Sequence, residues 1–237
     1  SAEDFDAVLS ELAQIGFKGV EPFHLFGKSA AELRNQVEDL GMRISSSHYP
    51  WANRSEPQEV IDTLGALGLD RAVGGFMPDD FKDLAAIEAT AETTNALLAT
   101  LKSAGIELAL HNHWWEFELI DGRPGYHHFQ ELVPDVLFEI DTYWAANFGN
   151  CDPAVEVARV RERAPLLHIK DGPLQRDAAN LPLGDGVMDI PDVIAAADPE
   201  VLEWLVIEFD KCDSDMMSAV KRSYQYMTEN ALGVGNV

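Results

Sequence analysis

The chain has 237 residues, 46% of them hydrophobic, and sets 41 acidic against 17 basic side chains for a formal net charge of −24. That length suits one barrel-sized core. No apolar run reaches the roughly 18–20 residues a membrane helix needs, and the acidic excess excludes a phosphate-tracking nucleic-acid surface. Cys151 and Cys212 are the only cysteines, which indicates neither a disulfide framework nor a thiolate metal site. The acidic residues 1–6 do not resemble a signal peptide, and a reducing cytoplasm is the expected location. Seven of the basic residues are lysines. The charge balance predicts a halophilic protein, because high salt screens self-repulsion that would cost stability at low salt. An anion-excluding surface or a cationic partner is the alternative reading.

Phe5, Val8, Leu9, Leu12 and Ile15 recur at helical spacing and predict a helix over 3–15, stopped by Gly16. Residues 19–23 read as a short strand with an acidic end at Glu21. Ser29 followed by Glu32 has capping-box spacing and opens a helix over 29–40. A strand over 43–48, a helix over 56–67, a strand over 71–76 and a long helix over 80–104 come next. The rest alternates in the same way. Strands end at His111 to His113, Asp141, His168 and Glu208, with helices at 125–132, 152–163, 191–197 and 213–230. Repeated β-then-α order implies a parallel sheet. The expected class is α/β, a (β/α)8 TIM barrel in one domain over 1–237. Seven strands can be counted, and the first strand reads as missing from the sequence, since a gap there would expose two unpaired edges.

Four apolar runs without alternation, as in strands buried on both faces, each end in a residue able to grip a divalent metal. They are Glu107-Leu108-Ala109-Leu110-His111-Asn112-His113, Val136-Leu137-Phe138-Glu139-Ile140-Asp141, Leu166-Leu167-His168-Ile169-Lys170-Asp171 and Trp204-Leu205-Val206-Ile207-Glu208. The C-terminal strand ends of a barrel ring one mouth, where active sites form. Alone, a strand-end Asp is more often a turn residue and a lone His a core residue. Together, Asp141, His168 and Glu208 form a carboxylate–imidazole–carboxylate set suited to Mn2+, Co2+ or Mg2+. For a fourth ligand Glu116 is preferred and His111 is the runner-up; Glu118 is expected to be solvated. Lys170 could stabilise an oxyanion or simply pair with Asp171. Trp114, Trp115 and Trp144 could stack on a ligand or pack in the core, and Trp114 and Trp115 should point to opposite sides. The turn Leu183-Gly184-Asp185-Gly186 could hold phosphate on its N–H groups, although a plain loop-to-helix turn explains it equally well. His127 and His128 are expected on the surface.

The strings His111-Asn112-His113-Trp114-Trp115-Glu116-Phe117, Glu139-Ile140-Asp141-Thr142-Tyr143-Trp144 and Leu167-His168-Ile169-Lys170-Asp171-Gly172 resemble the xylose-isomerase-like TIM-barrel superfamily. Within it they are most similar to the sugar phosphate isomerase/epimerase group, which includes inosose dehydratases and ketose 3-epimerases. Gly16-Phe17-Lys18-Gly19-Val20-Glu21 and Leu183-Gly184-Asp185-Gly186 extend the likeness from residue 3 to about 230. The resemblance implies one divalent metal on Glu, Asp, His and Glu. Asp141, His168 and Glu208 match, while His111 stands where many members have the first Glu. It further implies that Glu21, His48, His113, Trp144 and Lys170 line the pocket, with His111 a substrate contact where it is not a ligand. The family often forms dimers or tetramers, so a homo-oligomer is an expectation from likeness alone.

The expected activity is isomerisation or epimerisation of a sugar or sugar derivative through a metal-stabilised enediolate, with a small carbohydrate as the only partner. Glu208 would be the base, Glu116 or His113 the opposing acid/base, and Lys170 the oxyanion stabiliser. A lyase of the inosose dehydratase type shares the first step. A non-catalytic sugar-binding protein is the reading from another class.

Overall fold

The computed structural model describes residues 2–53 and 55–236. In chain order the elements are α1 (Ala2–Ile15), β1 (Gly19–Val20), α2 (Ala30–Asp39), β2 (Arg43–Ile44), α3 (Pro57–Leu67), β3 (Arg71–Gly74), α4 (Leu84–Ser103) and β4 (Glu107–His111). Then come β5 (Leu119–Ile120), β6 (Arg123–Pro124), α5 (Gly125–Leu132), β7 (Leu137–Asp141), α6 (Thr142–Ala145), α7 (Pro153–Val160), β8 (Leu166–Ile169), α8 (Ile190–Ala195), β9 (Trp204–Ile207) and α9 (Met216–Glu229). Strands β3-β4-β7-β8-β9 form one parallel sheet in sequence order, and β1 and β2 form a separate parallel pair. Among the described residues no helix is long and apolar enough to cross a membrane.

All seven expected strands are present, but the first two are shorter than the sequence suggests. Past Val20 and Ile44 the chains still run side by side, with Ser45 N–H donating to Val20 O and His48 N–H to Pro22 O, both at 3.0 Å. Ser29 caps α2 with the reciprocal Glu32 bond that the spacing predicted. The long helix over 80–104 is broken. A single turn, Pro78–Phe81, precedes α4, which restarts where extended Asp83 accepts the Ala86 N–H at 2.8 Å. The β5–β6 hairpin turns on Asp121 and Gly122, both left-handed at φ 51 and 83. That Asp-Gly pair is the residue choice a type I′ turn requires.

The central strands are buried on both faces, which is why their sequences show no alternation. Leu108, Ala109, Leu110, Phe138, Ile140, Leu166, Leu167 and Ile169 are all essentially inaccessible. Phe76, Phe81, Phe117, Tyr126, Phe129 and Phe138 pack edge to face or tilted between the sheet and helices α4 and α5. Each fully buried ring of this size contributes about 1.5–3 kcal/mol, so this layer fixes how β4 and β7 present their C-terminal ends. A second cluster, Leu9, Leu33, Val37, Met42 and Leu67, seats α1 and α2 beside β1 and β2.

Candidate functional site

Side chains two apart on a strand share a face. Glu139 and Asp141 on β7, His168 on β8 with Lys170 just past its end, and Glu208 and Asp210 after β9 project together. The register sets Asp141 beside His168 and His168 beside Val206. Glu21 and His48 follow β1 and β2, and His111 ends β4.

His168 is the hub. Its Nδ1 lies 2.6 Å from Glu208 Oε2, and its Nε2 lies 2.9 Å from Glu21 Oε1 and 3.4 Å from Glu139 Oε2. Glu139 Oε2 also meets His48 Nε2 at 2.6 Å and His111 Nδ1 at 3.2 Å. Lys170 Nζ stands 2.8 Å from Asp141 Oδ2, 2.9 Å from Glu208 Oε2 and 2.8 Å from Asp210 Oδ2. Asp141 is aimed from both sides. Its Oδ1 accepts the Trp144 N–H at 2.9 Å as the cap of α6. The Asn112 side chain clasps its backbone N–H and C=O, both at 3.0 Å.

Burial sets the charges. It opposes protonation of His168, yet Glu139, Glu21 and Glu208 hold this imidazole charged well above the ordinary histidine range. Burial works the same way on His48, and Glu21 and Glu139 override it. His111 is pushed well below its usual range, chiefly by burial. Glu139 and Glu208 stay ionised well below the usual carboxylate range despite burial, Glu139 through His168 and His48 and Glu208 through His168 and Lys170. Burial raises Asp141 against the pull of Lys170, and raises Glu21 with help from the Glu139 charge. Lys170 is held protonated, since Asp141, Glu208 and Asp210 outweigh the cost of its burial.

The structure thus brings Glu21, His48, His111, Asp141, His168, Lys170 and Glu208 into one network. Trp144 joins it, with Lys170 Nζ 5.5 Å from its ring centre. His113 lies beside His111 and stacks on Trp115 at 4.1 Å. Glu116 is fully buried and stands outside both metal-competent groups among the described residues. Its Oε2 accepts the His113 N–H at 2.9 Å, and burial raises its pKa. Glu118 is exposed as expected.

Several expectations are corrected. Lys170 pairs with Asp141, Glu208 and Asp210, and Asp171 is engaged elsewhere. The Asp171 carboxylate accepts the N–H groups of Gly172, Gly184, Gly186 and Met188 at 2.8–3.1 Å. A carboxylate of the protein itself therefore fills the N–H nest that was a candidate for phosphate, and Asp185 pairs outward with Arg222. Trp114 and Trp115 are not extended; their rings meet at 80° and 5.6 Å because a 3-10 turn starts at Trp115. His127 and His128 are half-buried, the first on Glu156 at 2.7 Å and the second against Arg123 and Ile120 O.

Sequence reading missed Glu139 and Asp210. Counting two residues back from Asp141, or two on from Glu208, would have found both.

Donor atoms of Asp141, His168 and Glu208 lie within 4.8 Å of one another, as do those of His48, His111, Glu139 and His168. In the first set Asp141 Oδ2 and His168 Nε2 are buried without a well-aligned hydrogen bond. Buried polar atoms are rarely left so, and hard oxygen donors with one imidazole match a divalent cation. The residues fit such an ion.

Comparison with curated proteins finds no match. Solved structures share the fold. A sugar phosphate isomerase/epimerase from Parabacteroides distasonis ATCC 8503 superposes with TM-score 0.77 at 23% identity, over 95% of this chain and 88% of that one. An L-ribulose 3-epimerase gives 0.69 at 14% identity, over 96% and 88%. A protein described as a probable 3-DHS dehydratase from Bacillus anthracis gives 0.71 at 11% identity, over 94% and 93%. The profile of the xylose isomerase-like TIM barrel family matches residues 9–229, and the chain belongs to that family.

Proposed function

We infer that the protein is a divalent-metal-dependent isomerase or epimerase of a sugar or sugar derivative. The observation that carries this reading is the convergence of Asp141, His168 and Glu208 at the ends of adjacent parallel strands, their donor atoms all within 4.8 Å of one another. Those three residues would hold the cation, with Glu116 or His111 as the further donor weighed from sequence. When bound, the ion would supply Lewis-acid polarisation of a substrate carbonyl.

The chain's own groups do the proton work. Glu208 is 35% exposed while Asp141 and His168 are sealed, so it is the carboxylate a substrate can reach. It is ionised, as a base must be, and its Oε2 is occupied by His168 and Lys170, which leaves Oε1 to take a proton from the carbon beside the carbonyl. Lys170 keeps a fixed positive charge next to the developing oxyanion. His113, half-exposed beside His111, is placed to return a proton from another direction. Trp144 walls the site at Lys170.

A lyase begins with the same proton abstraction, and the likeness in fold to a dehydratase as well as an epimerase favours keeping it as the second reading. Incubating the protein with Mn2+ and a panel of ketoses and inososes in D2O, followed by NMR, tests both. Deuterium on a carbon next to the carbonyl is expected for either enzyme, and loss of a hydroxyl marks the lyase. Glu208→Gln should lower exchange by about 10²–10⁴-fold. A panel with no exchange would leave a sugar-binding protein.

A further inference from the structure

We propose that Arg176, laid across Trp114 and Phe148, is the anchor for an oxyanion of the substrate, a carboxylate or phosphate distal to the reacting carbons. This rests on the sugar-enolising reading of the site. The three residues come from loops that follow β4, β7 and β8, so they gather at the end of the sheet that carries Asp141, His168 and Glu208. The Arg176 guanidinium carbon lies 3.9 Å from the Trp114 ring centre and 4.8 Å from that of Phe148. From there aromatic contacts run both ways into the site. Phe148 meets Trp144 at 6.1 Å, and Trp144 meets Lys170. Trp114 meets Trp115, which stacks on His113 beside His111. Arg176 therefore stands two rings away from Lys170, on the side of Trp144 and Phe148 away from the reacting groups.

The charge on Arg176 is not used within the protein. Arg34, Arg71, Arg123, Arg159 and Arg222 each pair with a carboxylate, whereas Arg176 is exposed and has no ion-pair partner among the described residues. Stacking occupies the faces of a guanidinium and leaves its N–H edges free for bidentate oxyanion binding. Lys170 is already placed at the reacting carbons beside Trp144, so an anion at the far end of the substrate needs a different cation. In a chain of net charge −24, an anionic substrate needs such a local cation at the mouth.

The platform is also held in place. Leu174 N–H donates to Tyr143 Oη at 3.1 Å, and Asn180 Oδ1 accepts the Asp210 N–H at 2.9 Å, which pins the loop on either side of Arg176. Left-handed backbone at Leu174 and Asp177 flanks the arginine, and Asn147 and Phe148 adopt it beneath. Such non-glycine conformations gather where a protein holds ligands.

The test is a titration with inorganic phosphate and, separately, malonate at constant ionic strength in KCl, read by tryptophan fluorescence. Wild type, Arg176→Gln and Arg43→Gln are compared, Arg43 being an exposed arginine at the N-terminal start of β2. Saturable binding in wild type and Arg43→Gln, weakened about 10- to 100-fold in Arg176→Gln, is expected. Equal titrations in wild type and Arg176→Gln, or saturation in neither, overturn the proposal. Deuterium exchange with a neutral ketohexose, its terminal phosphate ester and the matching keto-uronate then separates phosphate from carboxylate. The preferred anion should lose kcat/KM through KM in Arg176→Gln, with the neutral sugar unchanged. If no sugar exchanges in wild type, the enolising reading fails, and the titration alone decides Arg176.

Discussion

Glu139 and Asp141 are two residues apart on one strand and share the neighbour His168, yet their surroundings differ. Glu139 is sealed, and three imidazoles converge on its Oε2, two of them held protonated. Its charge is balanced by the protein itself. Around Asp141 the company is Glu208, Asp210 and one lysine, so negative charge is in surplus, and the cluster opens outward through the partly exposed Glu208. A carboxylate with its counter-charges built in serves the fold, and one with surplus negative charge and an open side is suited to receive a cation.

The strongest way to break this contrast is Glu139→Gln. It removes the sealed carboxylate that His48 and His168 share, leaving the two imidazolium groups only Glu21 and Glu208, and removing one partner of a buried ion pair costs about 3–5 kcal/mol. Urea unfolding of the metal-free protein should show that loss. An unaltered midpoint together with abolished metal binding would make Glu139 a ligand and reverse the assignment. Asp141→Asn should do the opposite. Wild-type protein should gain about 2.7 kcal/mol of apparent stability with Mn2+ at 100 times its Kd, and the variant should gain nothing in the same thermal-shift series. A full Mn2+ response in Asp141→Asn would move the ion to the histidine-rich set. The mildest expected effect belongs to Asn112→Ala. It removes two bonds that orient the Asp141 backbone, so Mn2+ affinity should fall about 10-fold by calorimetry. Unchanged affinity would show that the α6 cap alone aims Asp141.

Much of this was legible in the chain. The Ser29 and Glu32 spacing identified the start of α2 because capping is settled within four residues. The strand endings at Asp141, His168 and Glu208 stood out because apolar runs stop abruptly at the mouth, β7 and β8 being buried on both faces and β9 only partly buried. Other features were hidden by the same physics. Glu139 drew no assignment because it lies inside an apolar run, and its three histidine partners come from the chain just after β2 and from β4 and β8, which only the fold brings together. The four N–H groups that Asp171 gathers from residues 172–188 depend on a loop returning to its own start, and no local spacing encodes that closure.

By itself the sequence determined the β-then-α order, the caps, and which residue types could bind a cation, since each depends on contacts between near neighbours or on side-chain chemistry. Only the tertiary structure decided which of those residues meet. His48 and Glu139 are 91 positions apart and touch at 2.6 Å. Glu116, close in sequence to His111, is fully buried and accepts the His113 N–H at 2.9 Å. Register and loop closure make that choice, because the energy that fixes them comes from burial summed over the whole sheet.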